Sequence, residues 1–171
     1  MGKTGTLIAL GLTLLVTVAA GPPAPSPLSD FGVVAIGSPW RKLPAALQPS
    51  AACMADQAKT NKPCETTDAA GVTYLELGDH VSAKEIRRAD PLPALPYGFS
   101  WSDTLADGQR KMRTQFHLAR LKVKQTAEGT VVDTGECFLS RRGNGDYFRF
   151  YLKYDAQQQL KTLGVSLCVY L

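Results

Sequence analysis

Four polar side chains that alternate along one short segment are the first candidates for chemistry. They are spaced two residues apart along the chain: Tyr147, Arg149, Tyr151 and Lys153. In a β-strand this spacing places all four on one side. Aromatic and basic side chains interleaved on a sheet can stack against sugars or bases while they pair with anions. They can equally anchor a protein partner, or simply form the water-facing side of a sheet.

Acid–base catalysis requires a different group that includes a histidine. In the strand register described below, His117 and Glu136 share a face with Arg149, and these residue types suit ribonuclease-like hydrolysis of a phosphodiester. His117 and Glu136 would act as acid and base, and Arg149 would stabilise the phosphate. The other histidine, His80, is too far away in sequence to give a zinc-ligand spacing with His117. No nucleophile elbow, phosphate-binding loop or H-E-x-x-H sequence occurs, so we expect no metal or cofactor.

Four predicted strands must position these side chains, and they cover residues 112–125, 130–141, 146–154 and 162–171. Asn144-Gly145 is typical of a two-residue hairpin turn, and such a turn would pair Cys137 with Leu152. The apolar face of the sheet would then carry Phe116, Leu118, Cys137, Leu139, Phe148, Phe150, Leu152, Leu163, Val165, Leu167 and Val169. The opposite side, the second face, would carry His117, Glu136, Phe138, Tyr147, Arg149, Tyr151, Lys153 and Tyr170.

Short helices are predicted in the N-terminal half. The segment from Ser50 to Lys59 is rich in alanine, Ser50 can cap its start, and Asn61 suits its end. The segment Ser82–Glu85 has the pattern of a capping box, which predicts a second helix. That helix must be short, because the prolines from Pro91 onward cannot continue it.

The remaining N-terminal patterns predict strands, one over residues 72–77 and one at a sheet edge over residues 31–36. Together the elements predict an α+β fold. Its main part is an antiparallel C-terminal sheet, a meander of about four strands, and short N-terminal helices cover the apolar face.

The cysteines Cys53, Cys64, Cys137 and Cys168 indicate two disulfides. All three pairings are open. The pairing of sequence neighbours is the simplest, but in a flat meander Cys137 and Cys168 would lie on opposite faces and two strands apart, about 10 Å. A disulfide holds its Cα atoms within about 7 Å. The Cys137–Cys168 pair and the flat meander are therefore incompatible.

The N-terminus has the three parts of a secretory signal. Lys3 precedes an apolar run over residues 7–20, and this run ends in small side chains. Residues 1–20 are therefore predicted to be a signal peptide, residues 21–28 a proline-rich tether, and residues 29–171 a single α+β domain. An uncleaved membrane anchor is the alternative, although a membrane span needs about 20 apolar residues. The mature chain is expected to be periplasmic or secreted, with no membrane span.

Charge is distributed unevenly beyond the signal. Residues 21–108 hold seven basic and ten acidic side chains, a balance of −3, whereas residues 109–171 hold eleven and five, a balance of +6. This asymmetry permits an acidic partner for the C-terminal half. We therefore expect an exported binding or accessory protein, inhibitor-like or immunity-like, that recognises a protein partner through the second face. A small secreted hydrolase, a membrane-tethered envelope accessory protein and a binder of nucleic acid or glycan are the alternatives.

Overall fold

The computed structural model describes residues 31–139 and 147–168. The predicted signal peptide and tether, the Asn144-Gly145 turn and Tyr170 lie outside these residues. The chain forms an α+β fold whose helices and strands are α1 (Ala51–Thr60), β1 (Cys64–Thr67), β2 (Val72–Leu77), β3 (His80–Arg87), α2 (Leu105–Phe116), β4 (Lys122–Thr126), β5 (Gly129–Asp133), β6 (Phe138–Leu139), β7 (Tyr147–Tyr154) and β8 (Leu160–Leu167). In this described part, no helix has the length and apolar character needed to cross a membrane.

The sheet joins two antiparallel meanders. Its order is β1-β2-β3-β8-β7-β5-β4, and the two-residue β6 pairs with β7 outside this path. Strands β1 to β3 form one meander, β4, β5, β7 and β8 form the other, and the antiparallel pair of β3 with β8 connects them. The sheet is therefore larger than the predicted four strands, because residues 64–87 add three strands beyond β8.

The first predicted helix is confirmed as α1. The Cys53 N–H donates to Ser50 Oγ at 3.1 Å, so the serine caps the helix start. At the other end, Asn61 adopts the left-handed conformation, with φ of 55°, and its N–H donates to the Gln57 carbonyl at 2.8 Å. Both ends depend on neighbouring residues alone, which explains why the sequence predicts them.

The predicted strand over residues 112–125 is wrong in its first part, where the chain forms α2. The Asp107 N–H donates to Thr104 Oγ1 and the Thr104 N–H donates to the Asp107 carboxylate, which makes a capping box. Gly108, Met112 and Phe116 recur every four residues and are all buried, as expected for one side of a helix. The strand β4 begins only at Lys122, after the helix has ended.

The second predicted helix is also wrong, because residues 80–87 form strand β3. Ser82 Oγ donates to the Leu75 carbonyl of β2 at 2.9 Å instead of capping a helix. Glu85, the other half of the predicted capping box, is buried in the sheet. Strand β3 lies between β2 and β8, so pairing on both edges outweighs the local capping pattern. Residues 31–36 form bends and a turn and not the predicted edge strand.

The alternation predicted for β7 and β8 is confirmed. The apolar pairs across these strands are Phe148–Leu167, Phe150–Val165 and Leu152–Leu163. Because directly paired residues share a face, this register places the alternating polar residues of β7 together on the second face.

The register predicted between β6 and β7 is wrong, because the observed pairing is shifted from the predicted one by an odd number of residues. Phe138 pairs with Phe148 and Leu139 with Tyr147, so neither Cys137–Leu152 nor Leu139–Phe150 is a pair. An odd shift moves every side chain to the other face. Phe138 therefore lies on the apolar face, with its ring centroid 4.8 Å from that of Phe116, and not on the second face.

Helix α2 contacts the apolar side of β7. The Phe116 ring lies 5.3 Å from the Phe150 ring. A Cβ atom added to Gly108 would lie 2.9 Å from Leu152 Cδ1, so the helix backbone approaches the strand closely there. The buried hydrophobic cluster combines these contacts with side chains from β2, β3 and β8.

Two disulfides link sequence neighbours, with Cα–Cα distances of 5.9 Å for Cys53–Cys64 and 6.2 Å for Cys137–Cys168. The conflict predicted between the Cys137–Cys168 pair and the meander does not arise, because the predicted register of Cys137 was wrong. Cys137 belongs to the loop between β5 and β6, so the spacing of paired strands does not fix its distance from Cys168.

Candidate functional site

The second face of β7 carries the four side chains singled out from the sequence, but they are not equally accessible. Tyr147 is 40% exposed, and the Lys153 side chain is 45% exposed. Arg149 is half-buried, and Tyr151 is buried although it lies outside the hydrophobic cluster. Tyr147 and Arg149 are therefore partly accessible at the start of the strand and Lys153 is accessible near its end, whereas Tyr151 is part of a polar cluster.

The centre of this cluster is Glu85 of β3, whose side chain is 2% exposed. One carboxylate oxygen, Oε1, accepts from the Tyr151 hydroxyl at 2.6 Å and from Lys153 Nζ at 2.7 Å. The other oxygen, Oε2, accepts from Arg87 Nε at 2.6 Å. Arg87 in turn donates from Nη1 and Nη2 to the two oxygens of Glu65 at 2.6 and 3.1 Å. The second face thus carries a charged network from β7 to β1.

A glycine makes the central contact possible. Gly164 of β8 lies directly between Tyr151 on β7 and Glu85 on β3 in the strand register. The Tyr151 ring passes over it, since a Cβ atom at position 164 would lie 2.6 Å from both Cζ and Oη of that ring. A side chain here would therefore separate the tyrosine from the carboxylate.

The network keeps Glu85 ionised. Burial raises the pKa of Glu85, but hydrogen bonds from Lys153, Tyr151 and Arg87 outweigh it and the pKa lies below the usual range. Burial and the neighbouring carboxylate raise the pKa of Tyr151, so its hydroxyl remains a donor. The Arg87 hydrogen bond likewise lowers the pKa of Glu65. A carboxylate that is ionised and already accepts three hydrogen bonds is suited to holding neighbours in place, not to proton transfer.

Arg149 differs from the other cations of this face. Its Nε atom is buried and has no hydrogen-bond partner among the described residues, and no salt bridge there includes its guanidinium. The residue opposite on β8 is Ser166, which has a small side chain. A buried guanidinium nitrogen without a partner is costly. The two Nη groups are not buried, so they are the donors that an outside acceptor could reach.

The histidine and glutamate of the predicted catalytic group do not come from strands. His117 is the residue that ends α2, with φ of 54° and its N–H donating to the Arg113 carbonyl, and it is exposed. Glu136 lies exposed in the loop before β6, where its carbonyl accepts from Thr134 Oγ1 at 2.8 Å. No hydrogen bond or salt bridge in the described part of the chain joins His117, Glu136 and Arg149. The shared strand face on which the hydrolase interpretation depended is therefore absent.

A cleft of about 470 Å³ opens beside the charged network. It lies between the turn at residues 68–71 and the loop at residues 89–93, and Arg87 forms part of its wall. Thr67 Oγ1 and Thr73 Oγ1, 3.0 Å apart, line it as well. Its described lining includes neither a histidine nor a cysteine, and no described group of three His, Cys, Asp or Glu residues could hold a metal ion.

Sequence reasoning found the β7 side chains but missed the residues that hold them, namely Glu65, Glu85, Arg87 and Gly164. The alternation of Glu85 and Arg87 was the available signal, and it was hidden by the capping-box pattern that begins at Ser82. The fold and site define an α+β protein with an antiparallel sheet, two disulfides and a charged network on one face of that sheet. Comparison with protein-family models, curated proteins and solved structures finds no match.

Proposed function

We propose that this chain is an exported accessory protein that binds an acidic protein partner through the second face of its sheet around Tyr147 and Arg149. The observation that carries the proposal is the half-buried Arg149 side chain, whose guanidinium forms no salt bridge within the described residues. A carboxylate from a partner would pair with the Nη groups of this guanidinium, which are not buried, through charge-assisted hydrogen bonds. Tyr147, 40% exposed beside it, supplies the aromatic area that protein interfaces favour.

Rigidity of the neighbouring side chains supports the same proposal. Tyr151 and Lys153 are both held by the Glu85 carboxylate, within 2.7 Å. Side chains that are fixed before binding lose less conformational entropy when a partner docks. The network therefore provides a preformed surface next to Tyr147 and Arg149.

The charge and the disulfides are consistent with an acidic partner outside the cytoplasm. Residues 109–171 carry a balance of +6, which favours association with an acidic surface. The two disulfides are compatible with an extracellular or otherwise oxidising environment. Export itself rests on the N-terminal sequence pattern.

Site-specific photo-cross-linking in cells that express the full chain tests this proposal. A photoreactive phenylalanine analogue replaces Tyr147 in one variant and Lys59, an exposed residue of α1, in the matched control. We expect an adduct with an acidic protein from position 147 and not from position 59. The same adduct from both positions, or none from position 147, contradicts the proposal.

The captured partner then allows a quantitative test. Arg149→Ala is expected to weaken the Kd of the purified pair about 30-fold, which is the effect of losing about 2 kcal/mol at an interface hot spot. Arg149→Lys retains the charge but not the planar donor group, so it should recover only part of the affinity. Both variants should unfold in a single cooperative transition like the wild type, which shows that a change in Kd does not come from loss of the fold. An unchanged Kd for Arg149→Ala would place the interface elsewhere.

A further inference from the structure

The outer edge of β4 is the open edge of the sheet. All five residues of Lys122–Thr126 are exposed, and no described residue pairs with their outer side. The opposite edge differs, because the Cys53–Cys64 disulfide ties α1 to β1 and Thr66 Oγ1 donates to the Leu47 carbonyl at 2.8 Å.

The strand register shows which backbone groups face outward. Thr134 donates its N–H to the Phe150 carbonyl of β7, so the even-numbered residues that precede it in β5 also point toward β7 and the odd-numbered ones toward β4. The β4 partners of those odd-numbered residues are Lys122, Lys124 and Thr126. The N–H and C=O groups of Val123 and Gln125 therefore point away from the sheet.

The side chains of β4 alternate in character across this edge. Lys122 and Lys124 lie on the second face, opposite Asp133 and Val131, and neither forms a salt bridge within the described residues. Val123 lies on the other face and is 46% exposed. A strand added at this edge would meet two cations on one face and an apolar side chain on the other.

We propose that the β4 edge binds an extended protein segment in which acidic and apolar residues alternate, by addition of one strand to the sheet. Backbone hydrogen bonds to Val123 and Gln125 would hold the segment. Its acidic side chains would lie opposite Lys122 and Lys124, and the apolar residue between them would pack on Val123. A second copy of the same edge is a poor occupant, because lysines would face lysines.

This edge is a separate surface from the one around Arg149. Arg149 lies on β7, and β5 intervenes between β7 and β4. The edge proposal therefore does not depend on the proposed function, and the two can fail independently.

The test uses the full chain and two capped synthetic peptides, one with the order Ser-Thr-Glu-Val-Glu-Thr-Ser and one with lysine in place of both glutamates. We expect the glutamate peptide to bind at least about tenfold more tightly, since two attractive cross-strand pairs become repulsive in the lysine peptide. Hydrogen exchange at the Val123 and Gln125 amides should slow on binding, whereas Lys122 and Lys124 amides are already paired in the sheet. The preference should weaken at high salt.

A charge-reversal variant gives the decisive control. Lys122→Glu combined with Lys124→Glu changes only exposed side chains and should reverse the preference toward the lysine peptide. Arg149→Ala should leave peptide binding unchanged. Equal affinity for both peptides, absence of binding by the glutamate peptide, or binding without added protection at Val123 and Gln125 overturns the proposal.

Discussion

Glu76 is a buried carboxyl group whose ionisation should weaken the fold. It lies on β2 and is 1% exposed. Its Oε1 atom accepts from Thr66 Oγ1 at 3.0 Å, and its Oε2 atom has no partner among the described residues. Burial raises the pKa of Glu76 to about 7, with a smaller contribution from the neighbouring Glu65 carboxylate and against the Thr66 hydrogen bond.

The size and sign of the effect follow from this pKa. The rise from the ordinary 4.5 to about 7 corresponds to about 3 kcal/mol, at about 1.4 kcal/mol for each tenfold change in the protonation equilibrium. Because the folded-state pKa is raised, the folded protein holds its proton more tightly than the unfolded chain. The cost is therefore absent below the unfolded pKa, grows as pH rises from about 4.5 to about 7, and stays constant above.

Replacing Glu76 by Gln removes this ionisation and keeps an oxygen that can accept from Thr66. Relative to the wild type, Glu76→Gln should gain about 3 kcal/mol of unfolding free energy between pH 4 and pH 8. The gain is a difference between the two proteins, so the titration of other carboxyl groups cancels. The unpaired amide hydrogens of Gln lower the stability of the variant by a similar amount at every pH. They shift its whole profile but do not alter the change of about 3 kcal/mol between pH 4 and pH 8.

Denaturant unfolding with both disulfides intact measures this difference at a series of pH values. Glu85→Gln is the matched control, because Glu85 is equally buried but has a lowered pKa. That variant should lose stability at neutral pH and recover part of the loss as pH falls, which is the opposite trend. Parallel pH profiles for Glu76→Gln and the wild type would refute the reasoning.

Three further predictions concern the polar cluster and α1. Gly164→Ala should destabilise the fold by about 1–3 kcal/mol in denaturant unfolding, because the added methyl overlaps the Tyr151 ring. Combining it with Tyr151→Ala should make the two effects less than additive, and simple additivity would argue against the overlap. Tyr151→Phe should raise the pKa of Glu85, measured by NMR of its carboxyl carbon, because one stabilising hydrogen bond is lost; an unchanged or lower value would show that the tyrosine bond does not hold the proton off. Ser50→Ala should cost about 1 kcal/mol by removing the cap on the Cys53 N–H, and Ser50→Gly should cost only a few tenths; equal costs would point to another cause.

Local patterns account for the parts of the fold that the sequence predicts correctly. Helix α1 is bounded by Ser50 and Asn61, whose capping contacts span three and four residues. The alternation in β7 and β8 likewise depends on nearest neighbours and a short turn. These features need no knowledge of distant segments, so sequence spacing is sufficient for them.

Long-range pairing explains the errors. Ser82 begins a convincing capping box, yet its segment is a strand because β2 and β8 pair on both of its edges. Local propensity is weak compared with such tertiary contacts. The register of β6 was wrong for a related reason, since one assumed turn length determined the face of every residue on that strand.

The candidate site shows the same division. The sequence alone determined that Tyr147, Arg149, Tyr151 and Lys153 share one side of a strand, because the two-residue period of a strand is a local property. Only the tertiary structure decided that Tyr151 is buried against Glu85, a residue 66 positions away, while Arg149 retains a buried donor without a described partner. The reason is that β8 pairs with β3 on one edge and with β7 on the other and presents Gly164 between them, a contact that no spacing within one segment can encode.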